Sequence, residues 1–128
     1  MITAQLESFA ERLDELKVLL PTHYLELALN QDKVPLDPQY DIYIQREKLG
    51  ELMFIALRES GALIGYFIGF VAPGLHYKTC LTLTMDIMYV HPGKRKSGGG
   101  NVLIDFVKQE AIRRGVQRVL QEQKFTWT

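Results

Sequence analysis

The sequence predicts an α+β fold in which a mixed, mostly antiparallel sheet is flanked by helices. Helical periodicity occurs near both ends of the chain, whereas residues 52–90 are rich in apolar, aromatic and β-branched side chains. A last strand follows the last helix, and a helical crossover of this kind makes that strand parallel to the one before it. The 128 residues, 47% of them hydrophobic, suffice for one buried core, so we expect a single domain over residues 1–128.

The first third of the chain predicts helices. Apolar residues recur every three or four positions over residues 6–20, and Pro21 is expected to end this helix. A second helical segment is predicted over residues 23–30. Residues 31–41 contain two prolines and are predicted to form a loop, and residues 42–49 are predicted to form a short helix.

The middle of the chain predicts three strands. Residues 52–57 and 63–71 are expected to pair as an antiparallel hairpin through Ser60-Gly61. Residues 79–90 alternate with a period of two, and the following His91-Pro92 ends that strand because proline cannot donate to the ladder.

A helix and a final strand complete the predicted elements. The helix is expected over residues 101–114, with Arg113 and Arg114 at the negative end of its dipole and Gly115 just beyond it. Residues 116–120 are predicted to form the parallel strand.

The link between the third strand and the last helix is the feature that predicts a chemical role. It reads Gly93-Lys94-Arg95-Lys96-Ser97-Gly98-Gly99-Gly100. The start of a helix offers unpaired N–H groups and a positive dipole end, which favour an anion. Glycines let the backbone approach phosphate oxygens, and Lys94, Arg95 and Lys96 add mobile positive charge. We therefore predict a phosphate-binding loop; the alternative is a flexible, solvated turn.

Two common phosphate motifs do not fit this loop. The Walker pattern needs lysine and a hydroxyl residue after its second glycine, but Gly98 is followed by Gly99 and Gly100. The dinucleotide pattern would need glycine at Leu103. What remains is R-x-x-G-x-G, which begins at Arg95. With this motif the sequence resembles the GNAT acetyltransferases, and so does the preceding string Met88-Tyr89-Val90-His91-Pro92.

The resemblance implies a GNAT-like acyl-CoA N-acyltransferase fold with acetyl-CoA as the cofactor. It implies transfer of an acetyl group to a primary amine of a small molecule or a protein. The N–H group of Val90 would face the thioester oxygen, where a fixed donor stabilises developing negative charge. The implied cofactor-binding residues are Met88, Tyr89, Val90, Arg95, Lys96, Ser97, Gly98, Gly99, Gly100 and Asn101.

Acyl transfer also needs a group that removes a proton from the acceptor ammonium. Asp86 is the candidate, because it lies four residues before Val90 and, by alternation, on the same face. The alternative is that Asp86 is an ordinary solvated strand residue. His76 and Tyr77 fall in the preceding loop, and Cys80 has no identifiable partner base.

Segments near the first helices are expected to shape the acceptor pocket. In the family, the second helical segment and the loop after it take this position, which here places His23, Tyr24 and the aromatic and acidic residues 37–43 there. Core packing explains Tyr24 equally well, and the fold does not specify the acceptor.

The end of the sequence departs from the family pattern. Family members continue with a further helix and two strands, and a tyrosine there often protonates the departing thiolate; nothing after Val119 matches them. We therefore expect an exposed sheet edge and apolar surface around Val119 and Trp127, covered by a second copy or another protein. The alternative function is a catalytically degenerate GNAT-fold protein that acts by binding a protein partner.

Charge and composition argue against other functions. The 15 basic and 15 acidic residues cancel, so neither nucleic acid nor an anionic membrane is favoured as a partner. The N-terminal residues lack a basic leader, and no apolar run approaches the roughly 20 residues that span a bilayer. The single Cys80 excludes an internal disulfide, and no cysteine and histidine spacing matches a zinc site. We expect a cytoplasmic protein without a metal.

Overall fold

The computed structural model describes residues 1–27, 40–73 and 81–121. The elements in chain order are β1 (Ile2–Leu6), α1 (Phe9–Leu27), α2 (Tyr40–Lys48), β2 (Leu52–Glu59), β3 (Ala62–Pro73), β4 (Leu81–Val90), a 3-10 helix (Pro92–Ser97), α3 (Gly99–Arg113) and β5 (Arg118–Gln121). The strands form one sheet in the order β1-β2-β3-β4-β5. The first four strands are antiparallel and β5 is parallel to β4, so the predicted α+β class and mixed sheet are confirmed.

Helices cover both faces of the sheet, which explains the nearly continuous apolar sequence of its central strands. One face packs against α3 through Leu103, Val107 and Ala111. The other face packs against α1, which contributes Phe9 and Leu16. The first six residues of β2 are all buried, because neighbouring residues that point to opposite faces both meet a core.

Local sequence rules predicted the hairpin and the end of α3. Ser60 and Gly61 join β2 to β3 with φ of 52° and 86°, the left-handed geometry that a tight hairpin turn needs. Gly115 follows the C-cap Arg114 with φ of 81°. The predicted positions of β2, β3, α2, α3 and β5 are confirmed to within a few residues.

The N-terminal prediction was wrong in two respects. Residues Ile2–Leu6 form the edge strand β1, paired with β2. The helix α1 then begins at Phe9 and continues through Pro21 to Leu27. A proline inside a helix costs about 3 kcal/mol, and this cost is offset because tertiary packing, which Phe9 and Leu16 provide here, supplies most helical stability. Residues 28–39, which hold the rest of the predicted second helix and most of the predicted loop, lie outside the described residues.

Ion pairs join β1, α1 and the β2–β3 hairpin. The Arg58 guanidinium contacts Glu7 Oε1 at 2.8 Å and Glu15 Oε1 at 2.9 Å, and it also donates to the carbonyl oxygen of Gly61. The hydrogen bond from Arg58 lowers the pKa of Glu7 to about 2, against the smaller opposing effect of burial. These contacts hold the edge strand and the helix against the sheet.

Candidate functional site

The loop after β4 is more regular than the sequence suggested. Residues Pro92–Ser97 form a 3-10 helix, and Gly98, with φ of 85° and ψ of 6°, turns the chain into α3. The first backbone bond of α3 runs from the N–H of Val102 to the oxygen of Gly98 at 3.2 Å. The N–H groups of Gly99, Gly100 and Asn101 precede this bond, and no side chain caps this end of the helix.

The glycines of this loop differ in their surroundings. A Cβ atom added to Gly98 or Gly100 would meet no described atom within 4 Å. A Cβ atom on Gly99 would lie 3.1 Å from Leu57 Cδ2, so this glycine packs against the core. The turn is therefore anchored through Gly99, while the space beside Gly98 and Gly100 is open.

The prediction of three mobile positive charges was wrong for two of them. Lys94 Nζ forms an ion pair with Glu59 Oε1 at 2.5 Å, and its hydrogen bond lowers the pKa of Glu59. Arg95 is partly buried, and its Nε donates to the carbonyl oxygen of Val90 at 2.8 Å. Lys96 is exposed, and no described residue forms an ion pair with it. Arg95 thus ties the loop to the end of β4, and Lys96 keeps its charge available in solution.

The end of β4 presents main chain at the site. The side chains of Met88, Tyr89 and Val90 are all 1% exposed or less, so only their backbone could contact a ligand. The N–H of His91 donates to the oxygen of Ile64 on β3 at 2.7 Å. Successive N–H groups of a strand point to opposite edges, so that of Val90 points away from β3 and toward the β5 side.

The edge of β4 on the β5 side is only partly paired in the described chain. β5 pairs with β4 from Thr82 to Met85 and, within the described residues, no further. Beyond Met85, the Val90 carbonyl accepts a hydrogen bond from Arg95, whereas the described pairing with β5 ends before it reaches the Val90 N–H group. Among the described residues, an unpaired strand edge therefore lies next to the glycine loop, where the resemblance placed Met88, Tyr89 and Val90 as cofactor-binding residues.

A bulge in β4 changes the face that Asp86 meets. The pairing of β4 with β3 steps from Ile87 to Met85 and leaves Asp86 without an opposite residue. Met85 and Met88 both pack on the α3 face, although three positions separate them. The extra residue of the bulge accounts for this change of phase.

Asp86 lies on the face covered by α1 and α2. There Tyr43 of α2 donates its hydroxyl hydrogen bond to Asp86 Oδ2 at 2.6 Å. The side chain of Val90 lies in the core on the opposite, α3 face. The prediction that Asp86 and Val90 share a face was wrong, because alternation holds only along a regular strand. The register separates the two residues by between three and four strand positions, which is about 12 Å.

Tyr43 is the residue of this site that sequence reasoning did not single out. It belongs to the stretch 37–43 predicted to line the acceptor pocket, but no local pattern links it to a strand residue 43 positions later. His23 and Tyr24 belong to α1, which continues through the stretch where a separate second helix was predicted. Three further candidates, His76, Tyr77 and Cys80, lie outside the described residues.

An open cavity of about 680 Å³ lies where β4 begins, at the end of the sheet away from the glycine loop. Its charged lining residues are Glu7, Glu47 and Arg114, and each already has a protein partner. Glu47 accepts from the first N–H groups of α1, Glu7 pairs with Arg58, and Arg114 pairs with Glu110. We therefore place the candidate site at the glycine loop and not in this cavity.

Two further surveys cover the described residues alone. No three histidine, cysteine, aspartate or glutamate side chains among them are grouped closely enough to hold a metal ion. None of their helices combines the length and the apolar character that crossing a membrane requires.

Comparisons with known proteins agree with this geometry. Residues 19–125 match the family model described as "Acetyltransferase (GNAT) family". A comparison with curated protein sequences finds no match.

Several solved structures share the fold. A ribosomal-protein-alanine N-acetyltransferase from Brucella melitensis biovar Abortus 2308 has a TM-score of 0.73 at 19% identity, covering 98% of this chain and 80% of that one. An aminoglycoside acetyltransferase from an uncultured soil metagenomic sample, in complex with sisomicin, has a TM-score of 0.71 at 13% identity, covering 97% and 77%. A predicted acetyltransferase with acetyl-CoA from Clostridium acetobutylicum has a TM-score of 0.67 at 16% identity, covering 97% and 82%. The predicted GNAT-like fold is confirmed.

Proposed function

Because the chain belongs to the GNAT family of acetyltransferases, we propose that it binds acetyl-CoA and transfers the acetyl group to a primary amine. The observation that carries this proposal is the start of α3, which has three N–H groups without intrahelical acceptors and open space beside Gly98 and Gly100. Such a helix end binds phosphate through its amides and its dipole.

The residues present fit the proposed cofactor. The N–H groups of Gly99, Gly100 and Asn101 would hold the diphosphate, with the ammonium group of Lys96 as the available cation. The open edge of β4 would hold the extended pantetheine arm by backbone hydrogen bonds, as an added strand is held. When bound, acetyl-CoA supplies an activated thioester carbonyl that accepts the amine and a thiolate that leaves.

The main-chain N–H of Val90 would stabilise the negative charge that develops on the thioester oxygen. Its direction is fixed, because β3 holds the neighbouring His91 and the Arg95 side chain holds the Val90 carbonyl. A donor that is already oriented needs no rearrangement during the reaction, and one such donor contributes about 3 kcal/mol in acyl-transfer enzymes.

The proton of the acceptor ammonium must leave before the amine attacks. The sequence-based hypothesis gives this role to Asp86, at about 12 Å along β4 from Val90. A base must lie within hydrogen-bond reach of its proton or act through water, so at this distance the proton passes to water and not directly to Asp86. Two structural neighbours are an N-acetyltransferase and an aminoglycoside acetyltransferase by name, which supports a nitrogen acceptor, on a small molecule or a protein.

Calorimetric titration of CoA and acetyl-CoA tests the proposal. We expect micromolar binding by the wild type and at least a thirtyfold loss in Gly100→Glu, because the new carboxylate would repel phosphate at the helix start. The variant should fold, since Cβ has open space and an acidic residue suits the first turn of a helix. Gln109→Glu adds the same charge at an exposed position of α3 and serves as the control, with unchanged binding expected.

Free-thiol release with a panel of amines then separates transfer from binding alone. Amine-dependent release of CoA is the expected result. Wild-type protein that shows no heat with either ligand at high micromolar concentration would contradict the proposal, and equal binding by Gly100→Glu would contradict the loop assignment. Binding without release under any amine would favour the alternative of a degenerate fold that acts through a partner.

A further inference from the structure

We infer that Asp86, held by Tyr43, is a specificity-determining residue that binds a second positive charge on the amine acceptor. This inference rests on the proposed function and adds the chemical class of its substrate, an amine with another cationic group remote from the reacting nitrogen. Four observations carry it: the bulge, the absence of a cation partner among the described residues, the aromatic surroundings and the distance to Val90.

The bulge turns Asp86 away from the α3 core and toward α2, where the Tyr43 hydroxyl holds Oδ2 at 2.6 Å. Bulges commonly re-aim a side chain beside a functional site. Asp86 is half-buried, so its position is determined by the sheet and by Tyr43 and not by solvent.

Asp86 differs from the other buried and half-buried carboxylates that the structure describes. Four of them form an ion pair with lysine or arginine, namely Glu7, Glu51, Glu59 and Glu110. A fifth, Glu47, accepts hydrogen bonds from the backbone at the start of α1. Within the described chain, the neutral hydroxyl of Tyr43 is the one hydrogen-bond partner of Asp86. A carboxylate that is partly removed from water without a cation is costly, and a cationic ligand would offset that cost.

Aromatic rings support Tyr43 and add to the attraction for a cation. Its ring stacks on Phe70 with centroids 5.7 Å apart and contacts Phe9 at 5.3 Å. The nearby Arg46 is held by Glu51 and lies over the other ring of this stack, Phe70, at 4.1 Å. The negative faces of aromatic rings favour a cation beside a carboxylate.

The separation from Val90 argues for an anchoring role over direct proton removal. A reacting nitrogen lies close to the Val90 N–H, about 12 Å along β4 from Asp86. Allowing for a hydrogen bond at each end, this span suits two ammonium groups roughly 6–10 Å apart. α,ω-Diaminoalkanes provide this spacing in a series of lengths.

The test compares diaminoalkanes with monoaminoalkanes of the same carbon number. Binding is measured by calorimetry on CoA-saturated protein, and kcat/KM is measured from acetyl-CoA by thiol release. For the wild type we expect a preference for the diamine of at least about tenfold, beyond the statistical factor for two equivalent ends, with an optimum at intermediate length. Asp86→Asn should remove this preference and Tyr43→Phe should reduce it. Asp105→Asn, which removes an exposed carboxylate from α3, away from Tyr43, should keep it.

The outcomes are distinct. An unchanged diamine preference in Asp86→Asn overturns the inference, and so does a wild type that binds both amine series equally. If Asp86→Asn retains the preference in binding but loses turnover with both series, Asp86 is the base and the inference is wrong. CoA binding is measured by calorimetry before any amine is added. If no CoA binding is found, the proposed function, on which the inference rests, is refuted instead.

Discussion

Replacing Gly98 with alanine would separate the conformational role of this glycine from its role at the binding site. Gly98 has φ of 85°, and an added Cβ atom would contact no described atom within 4 Å. The whole effect on folding therefore comes from the backbone. Left-handed geometry costs a residue with Cβ about 1–2 kcal/mol. Alanine also lowers the conformational entropy of the unfolded chain, which stabilises the folded state by about 0.4–1 kcal/mol.

We therefore expect Gly98→Ala to lose about 1 kcal/mol of unfolding free energy, which for 128 residues corresponds to about 4 °C in Tm. Gly115 is a matched control, because its φ is 81° and its Cβ would also meet no described atom within 4 Å. Gly115→Ala should lose a similar amount of stability at the other end of α3.

Only Gly98→Ala should weaken CoA binding, by about tenfold, because strain at Gly98 moves the amides that follow it. Denaturant unfolding gives the stability of both variants, and calorimetric titration gives their CoA affinity. Equal affinity losses in the two variants would show that the effect is one of stability. Full CoA affinity in Gly98→Ala would refute the assignment of the phosphate to this turn.

Three further predictions concern stability. Gly65→Ala should lose more than about 3 kcal/mol in denaturant unfolding, because its Cβ would lie 2.5 Å from the backbone oxygen of Tyr89. Arg58 lowers the folded-state pKa of Glu7 from 4.5 to about 2. The stabilisation that the ionised Glu7 gives the folded state is therefore complete above pH 4.5 and is lost as the pH falls toward 2. The expected loss is on the order of 2 kcal/mol, and Glu7→Gln should flatten this part of the pH profile. Glu47→Ala should lose about 1–2 kcal/mol by uncapping α1, observed as a lower denaturant midpoint.

Each of these predictions has a result that would contradict it. Gly100→Ala, where Cβ has open space, is the control for Gly65→Ala and should retain wild-type stability or exceed it. Equal midpoints for the two variants would show that β3 and β4 can move apart cheaply. A pH profile that keeps its acid slope in Glu7→Gln would assign that slope to other carboxylates, of which Glu110, with its pKa lowered to about 2 by Arg113, is the first to examine.

Part of the site followed from sequence because it depends on neighbouring residues. The glycine-rich link after β4, the start of a helix behind it and the end of that helix at Gly115 are local events that glycine position and charge predict. The contacts of Arg95 with the Val90 carbonyl and of Lys94 with Glu59 were missed, because each joins an exposed-looking basic residue to a different element.

The sequence by itself determined the order of the elements from α2 onward, the hairpin at Ser60-Gly61 and a glycine-rich link leading into a helix start, since each follows from periodicity or from glycine geometry over a few residues. Tertiary structure alone decided that α1 continues through Pro21, that β4 carries a bulge and that Asp86 faces Tyr43. Pro21 removes a hydrogen bond from α1, and the bulge adds an unpaired residue to β4. Packing against the rest of the fold offsets the cost of both. That compensation comes from side chains tens of positions away, which no local pattern contains.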